Sequence, residues 1–313
     1  MWYKLVLRVF CILWAIFLGP SVQAQNDSFV GFSIMNPTLH NPSWIGHDRI
    51  ARVVLQARSQ WTGYKTSFDG NGGAPSSLVF NMSVPVAAKF SGIGLSVLNE
   101  TIGPVNNTVL NLPFSYNIGL NRSQLIFSLM PGIISRSQNF NELRFNDPRD
   151  PFNSIGTRET QTLFNLGFGA LYSLPRNRYI GLSISNLLQP EFNYGLSGIS
   201  NKSATSYTLI LGAFRSFKKR FELRPNLVVK TDLNTLTFDL GTQVQYNTRI
   251  WMGTYYRWSE AIVVMGGYSL MERNRLKLGF ALDLVIQENQ AKKATSQEIY
   301  VRYELLDLVF GGK

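Results

Sequence analysis

His40, Ser43, His47 and Asp48 fall within one short stretch, and they are the residues of this sequence best suited to chemistry. A serine flanked by histidines has the parts of a nucleophile and its base, which must come within hydrogen-bond reach of each other. Two histidines with an aspartate could also share a metal ion. Both readings are thin. The chain has only two histidines, and no second acidic cluster lies nearby in sequence. Glu142, Asp147 and Asp150 form an acidic group among Pro148 and Pro151. They lack the regular spacing of calcium ligands, so a turn-forming loop is the expectation. No glycine-rich turn leads into a Lys-Ser/Thr pair, and Gly70 to Gly73 reads as a loop. The sequence therefore predicts no catalytic set, no metal and no cofactor, and a protein that is not an enzyme.

The elements that would position any site begin after an export signal. Lys4 and Arg8 precede an apolar run from Val9 to Leu18, ended by Gly19 and Pro20. Val22-Gln23-Ala24 offers the small residues of a cleavage site, so residues 1–24 are expected to be removed. The apolar run is too short for a spanning helix, which takes about 20 residues. Cys11, the single cysteine, lies within the signal, which excludes disulfides and thiol chemistry from the mature chain. The whole chain carries a formal charge of +11, two units of it in the signal, leaving +9. For an exported protein, anionic head groups or acidic proteins are the natural counter-charges, and nucleic acid is not.

Only 16% of residues are charged, whereas 45% are hydrophobic and 13% aromatic. An ordinary soluble domain carries about 25% charge. Alternation with a period of two recurs along the chain. Leu110, Leu112, Phe114, Tyr116, Ile118 and Leu120 oppose Val109, Asn111, Pro113, Ser115, Asn117 and Gly119. Phe164, Leu166, Phe168, Ala170 and Tyr172 oppose Asn165, Gly167, Gly169 and Leu171. The breaks define fourteen strands: 49–58, 76–88, 90–98, 108–120, 123–135, 162–174, 178–187, 205–216, 219–230, 235–246, 249–258, 260–269, 275–286 and 297–306. Many exceed the five or six residues of a soluble strand and suit tilted membrane strands of roughly 9 to 11 residues. The expected fold is all-β: a single-chain antiparallel transmembrane β-barrel of about 14 strands over 49–313, preceded by a periplasmic N-terminal arm over 25–48. A soluble sandwich would explain alternation, but not long strands with so little charge on the outer face.

On this register Ala51, Val53, Leu55 and Ala57 face lipid. The charged strand residues Arg52, Arg58, Glu222, Arg224, Lys230, Asp239, Asp283, Arg302 and Glu304 turn inward. A mid-bilayer lipid-facing cation would cost about 2–4 kcal/mol. Mixed signs predict a polar lumen network of salt bridges rather than an ion path, with Glu304 as a companion for the arginines of the first strand. Trp61, Tyr116, Tyr172, Tyr246, Tyr256 and Trp258 are placed at the interfaces. Lys218-Lys219-Arg220 reads as a basic hairpin turn at the membrane face, with a patch for lipid heads or a partner as the sharper alternative.

Several segments carry a resemblance. Asn41-Pro42-Ser43-Trp44-Ile45-Gly46 comes first, then a strand ending Arg58-Ser59-Gln60-Trp61. Gly92-Ile93-Gly94-Leu95-Ser96-Val97-Leu98-Asn99 with Gly103 follows, then Phe145-Asn146-Asp147-Pro148. Gly181-Leu182-Ser183 with Gln189-Pro190 and Gly253-Thr254-Tyr255-Tyr256-Arg257 complete the series. In this order they resemble the PorP/SprF family, outer-membrane proteins of the Bacteroidetes type IX secretion and gliding system. Two departures stand out: Gly279-Phe280-Ala281-Leu282-Asp283 where the family tends to Tyr-Ser-Tyr-Asp, and Asn186 where it often has histidine. The resemblance implies a partner-binding membrane component in secretion or surface anchoring of large adhesins. Its partners would be outer-membrane lipid, type IX components on the periplasmic side and the adhesin cargo. Asn41, Pro42, Gly46, Arg58, Gln60, Trp61, Asp147, Pro148 and Arg257 become the candidate motif or partner-facing residues. A porin or hydrophobic-solute transporter is the alternative function.

Overall fold

The computed structural model describes residues 32, 35–62, 73–86, 90–142, 158–194, 201–217, 220–286 and 295–305. The signal segment, and Asp147, Pro148, Lys218 and Lys219, lie outside them. Alternating sequence becomes strand because a two-residue period puts every apolar side chain on one face of a pleat. The strands are β1 (Ala51–Ser59), β2 (Ser76–Pro85), β3 (Phe90–Ile102), and β4 in two pieces (Val105–Asn111 and Phe114–Leu120). Next come β5 (Ser123–Asn139), β6 (Arg158–Leu174), β7 (Arg178–Ser185), and β8, also in two pieces (Ser206–Ala213 and Arg215–Phe217). The last six are β9 (Phe221–Thr231), β10 (Leu236–Tyr246), β11 (Ile250–Arg257), β12 (Ala261–Leu270), β13 (Leu276–Val285) and β14 (Thr295–Leu305).

Each strand pairs antiparallel with its chain neighbours, and β1 pairs with β14 from Ala51↔Leu305 to Ser59↔Gln297. The sheet is therefore a closed barrel of fourteen strands with no free edge, which satisfies the backbone in a hydrocarbon setting. Pro113 cannot donate to the ladder and falls in the break of β4, where Gly94 N donates to its carbonyl at 2.8 Å.

The connections sort cleanly by rim. Those after β2, β4, β6, β8, β10 and β12 are only two to five residues long: 86–89, 121–122, 175–177, 218–220, 247–249 and 271–275. The opposite rim carries the long connections 60–75, 140–157, 186–205 and 286–294, along with three short ones. In 186–205 Glu191–Phe192 pairs with Asn201–Lys202 as a small separate hairpin. Outer-membrane barrels have this division, with tight turns on the periplasmic side.

Outside, large apolar side chains are exposed along every stave, including Leu55, Leu112, Phe164, Leu182, Leu240, Met252, Val264 and Ile299. A soluble protein does not expose so continuous an apolar belt. Tyr116, Tyr256 and Trp258 are likewise exposed. Inside, Arg52, Gln56 and Arg58 of β1 are buried, alternating with outward Val53, Leu55 and Ala57.

Candidate functional site

The described part of the segment expected to be a periplasmic arm lies inside the barrel. From Phe32 to Asp48 it runs across the lumen, shaped by two 3-10 turns, Pro37–Leu39 and Pro42–Trp44. Each begins with a proline after an asparagine. Proline suits the first helical position because its missing N–H needs no partner there. Asn41 Oδ1 accepts from Ser43 N at 2.9 Å and caps the second turn.

Bonds from the wall hold this plug at many staves. Tyr300 Oη on β14 donates to Met35 O at 2.9 Å. Asn36 binds Gln56 of β1 and accepts from Asn81 Nδ2 of β2 at 3.0 Å. Asn41 Nδ2 donates to Ala170 O on β6 and Leu182 O on β7, both at 3.0 Å. Those two residues are direct cross-strand partners, so one amide spans the ladder. Ser43 Oγ meets Ser128 Oγ of β5 at 2.8 Å, and Ser115 Oγ of β4 donates to Ile45 O at 2.6 Å.

Glycines in the wall make room for it. A Cβ on Gly169 or Gly181 would stand 2.7 Å from the Asn41 amide, and one on Gly92 would stand 2.8 Å from Ile45 Cγ2. Gly46 has φ +76°, and its Cβ would strike Ser91 O at 1.9 Å. Of the motif glycines, Gly46 is part of the plug, and Gly92, Gly94 and Gly181 are hollows that receive Ile45 and Asn41.

Two apolar clusters anchor the plug. Phe32 and Met35 pack with Val54, Trp251, Tyr255, Val263, Met265, Ala281 and Tyr300, while Trp44 packs with Ile126, Leu171, Tyr179, Ile210 and Val228. Phe32 lies 4.9 Å from the Tyr300 ring and edge-on to Trp251 at 6.0 Å. Trp44 lies edge-on to Tyr179 at 4.6 Å. Fully burying one such side chain contributes roughly 1.5–3 kcal/mol. Sequence reasoning missed these inward aromatics because it expected a polar inner face. The signal was present as large inward residues beside small ones: Trp251 occupies the space left by Gly267 and Gly279.

The inward charges form separate groups. At the long-loop end, Arg58 Nη2 meets Asp283 Oδ2 at 2.7 Å and Nη1 meets Glu298 Oε2 at 3.4 Å. Arg257 meets Asp239 at 3.2 Å and the same Asp283 oxygen at 3.1 Å. Gln56 Nε2 and Phe32 N both donate to Glu298 Oε1, at 3.2 and 3.3 Å. At the tight-turn end, Arg52 pairs with Asp48, while Arg302 pairs with Glu304, which Lys277 also reaches at 3.1 Å. Arg224 pairs with Glu222 at 2.6 Å and stacks over Phe214. Glu304 faces Arg52 in register but is engaged by Arg302 and Lys277, because the plug supplies Asp48 to Arg52. Lys230 lies on the wall of a cup described below. Gln60 and Trp61 lie at the β1 rim, where Trp61 N donates to Ser296 Oγ at 3.2 Å.

Between plug and long-loop rim lies a cup of about 180 Å³, floored by Thr38 and Leu39 and walled by residues such as Glu100, Asn165 and Lys230. No Ser–His relay forms here: Ser43 is bonded to Ser128, and neither His40 ring nitrogen has a hydrogen-bond partner. Burial, with Lys230 and Arg257 nearby, holds the His40 pKa well below its ordinary value. Burial also lowers His47, with Asp48 opposing and Arg52 assisting. For Asp48 burial pushes upward, but the Arg52 guanidinium outweighs it and lowers the carboxyl. No group of three metal-binding side chains occurs among the described residues.

The fold is similar to that of CymD, a monoaromatic hydrocarbon channel, at 12% identity and a TM-score of 0.51 over 86% of this chain and 91% of that one. The Ralstonia pickettii toluene transporter TbuX aligns at 10% identity and 0.49, covering 85% and 92% of the two chains. Acinetobacter baumannii Omp33 aligns at 7% and 0.45, covering 82% and 99%. At such identities the likeness speaks for the barrel alone. No curated protein matches the sequence. Residues 22–303 match the family described as type IX secretion system membrane protein PorP/SprF. With nearly the whole chain matched, this protein belongs to the PorP/SprF family.

Proposed function

We propose that this chain is a closed outer-membrane scaffold of the type IX machinery, supporting secretion or surface anchoring of a large adhesin through protein–protein contacts. In this reading the mature chain begins after residue 24, periplasmic components engage the tight-turn rim, and the adhesin engages the long-loop side. The observation that carries it is the plug. Phe32 to Asp48 fills the lumen with two apolar anchors and bonds to staves around the barrel, which suits a rigid platform better than a passage. Asp147 and Pro148, in a long-loop connection, remain candidates for partner contact.

Deleting the gene is expected to abolish surface display of the cognate adhesin while outer-membrane permeability to small solutes stays unchanged. Normal display in the deletion strain would overturn the proposal. A second reading, a porin or hydrophobic-solute transporter, draws on the cup that opens from the long-loop rim. It requires a route past Thr38 and Leu39 and predicts solute uptake by the purified protein in vesicles.

A further inference from the structure

The two rims differ in charge. Five of the six tight turns carry an exposed arginine, Arg122, Arg176, Arg220, Arg249 and Arg273, with Glu272 beside the last as the one acid among the described residues of these turns. Arg49, just before β1, adds another. Among the described residues of the connections on the long-loop rim the only cation is Lys202, paired with Glu191 at 3.6 Å, against Glu142, Asp232 and Glu260. Turn geometry does not ask for these arginines. Arg49, Arg176 and Arg273 have φ of 54°, 65° and 56°, in the left-handed region where glycine and asparagine are the easy choices. Cations held against that local preference point to a demand for positive charge at this rim.

Two further arginines show what the charge meets. Arg178 opens β7 on the face of Ile180 and Leu182, the membrane-facing side. Arg215 stands opposite Leu223 on the outward face of β8, two residues beyond Ala213, the partner of Arg178. Exposed Phe217, Phe221 and Leu223 lie beside them. None of these arginines forms an ion pair with another described residue; Arg178 Nε donates to Pro175 O at 3.2 Å. A protein capping the rim would not reach the outer wall, whereas lipid head groups surround it on all sides. An arginine just beyond an apolar belt can keep its stem on the wall and its guanidinium at head-group depth.

We infer that the tight-turn rim is a collar for anionic phospholipid head groups, with Arg178 and Arg215 as a lipid-phosphate site on the outer wall. The inference goes beyond the secretion role and does not depend on it. It orients the barrel by charge, as juxtamembrane basic residues do at anionic surfaces.

The test is native mass spectrometry of the full purified chain offered equal amounts of phosphatidylglycerol and phosphatidylcholine. Wild type is expected to retain phosphatidylglycerol roughly fivefold to tenfold over phosphatidylcholine. R178Q/R215Q, checked for folding by heat-modifiable electrophoresis, should lose most of that preference, and K202Q on the opposite rim should keep it. Should the double variant fail to fold, wild type is compared at about 0.05 and 0.5 M salt, where screening should erode the preference. Equal retention of the two lipids, a preference unchanged in R178Q/R215Q, or one indifferent to salt would overturn the inference. Binding of polyglutamate without lipid preference would assign the collar to an acidic protein and overturn it too.

Discussion

Arg58 and Asp283, 225 residues apart in the chain, meet at 2.7 Å inside the barrel with both side chains almost wholly buried. The same Asp283 oxygen receives Arg257, so three strands are tied at one atom. Removing one partner strands buried charges, which costs far more than an exposed pair is worth. Arg58→Ala is expected to lower stability by about 3–5 kcal/mol. Arg58→Lys should recover part of this, since one ammonium cannot serve both Asp283 and Glu298 as a forked guanidinium does. Urea midpoints of the refolded barrel give the comparison; an unchanged midpoint for the alanine variant would contradict the network's role.

Asn41 offers a more selective handle on the plug. Asn41→Ala removes three bonds, two to the wall and the cap on Ser43 N, and should loosen the segment by about 1–3 kcal/mol, leaving the β-wall intact. Asn41→Asp should be worse, because a carboxylate can only accept and would face the Ala170 and Leu182 carbonyls. Protease cleavage near His40 in the folded barrel is the readout, and equal resistance in all three proteins would count against the clamp.

Gly46→Ala tests the close approach. Both the left-handed φ and the 1.9 Å encounter with Ser91 O oppose a side chain there. Cleavage of the 32–48 segment should rise while the barrel still migrates as a folded species. Gly119→Ala, where nothing lies within 4 Å, should change neither.

Acid should weaken the seat of the plug. His40 and His47 are both held below the ordinary histidine pKa by burial. The unfolded or released segment then binds protons that the seated one does not. Stability is full above about 6.5 and falls as pH drops through that value toward the lowered folded pKa. Asp48 acts the same way lower down: its carboxyl is depressed beside Arg52, so its contribution is lost as pH falls below the usual carboxylate range. His40→Gln should flatten the loss between about pH 6.5 and 5. The slope of the urea midpoint against pH decides, and an undiminished slope would remove His40 from the account.

The wall of this barrel was legible in the sequence, since a membrane stave must alternate over its whole length. The first strand was expected at 49–58 and runs Ala51–Ser59, and its arginines point inward as the register required. The plug was not legible as a plug. Two 3-10 turns and their links carry no periodicity, so the segment read as an arm outside the barrel. Its companions were hidden for the same reason: Trp251, Tyr255 and Tyr300 are bulky aromatic side chains on the face that alternation assigns to water. Which carboxylate each arginine takes depends on the plug as well. Arg52 pairs with Asp48, a residue outside the strands, and no strand pattern could have supplied it.

The central claim is a barrel closed by its own N-terminal segment, and single-channel recording in a planar bilayer addresses it most directly. The wild-type protein is expected to be silent, and a variant lacking residues 32–48 to show discrete conducting steps. Steady conductance from the folded wild-type barrel would contradict the account.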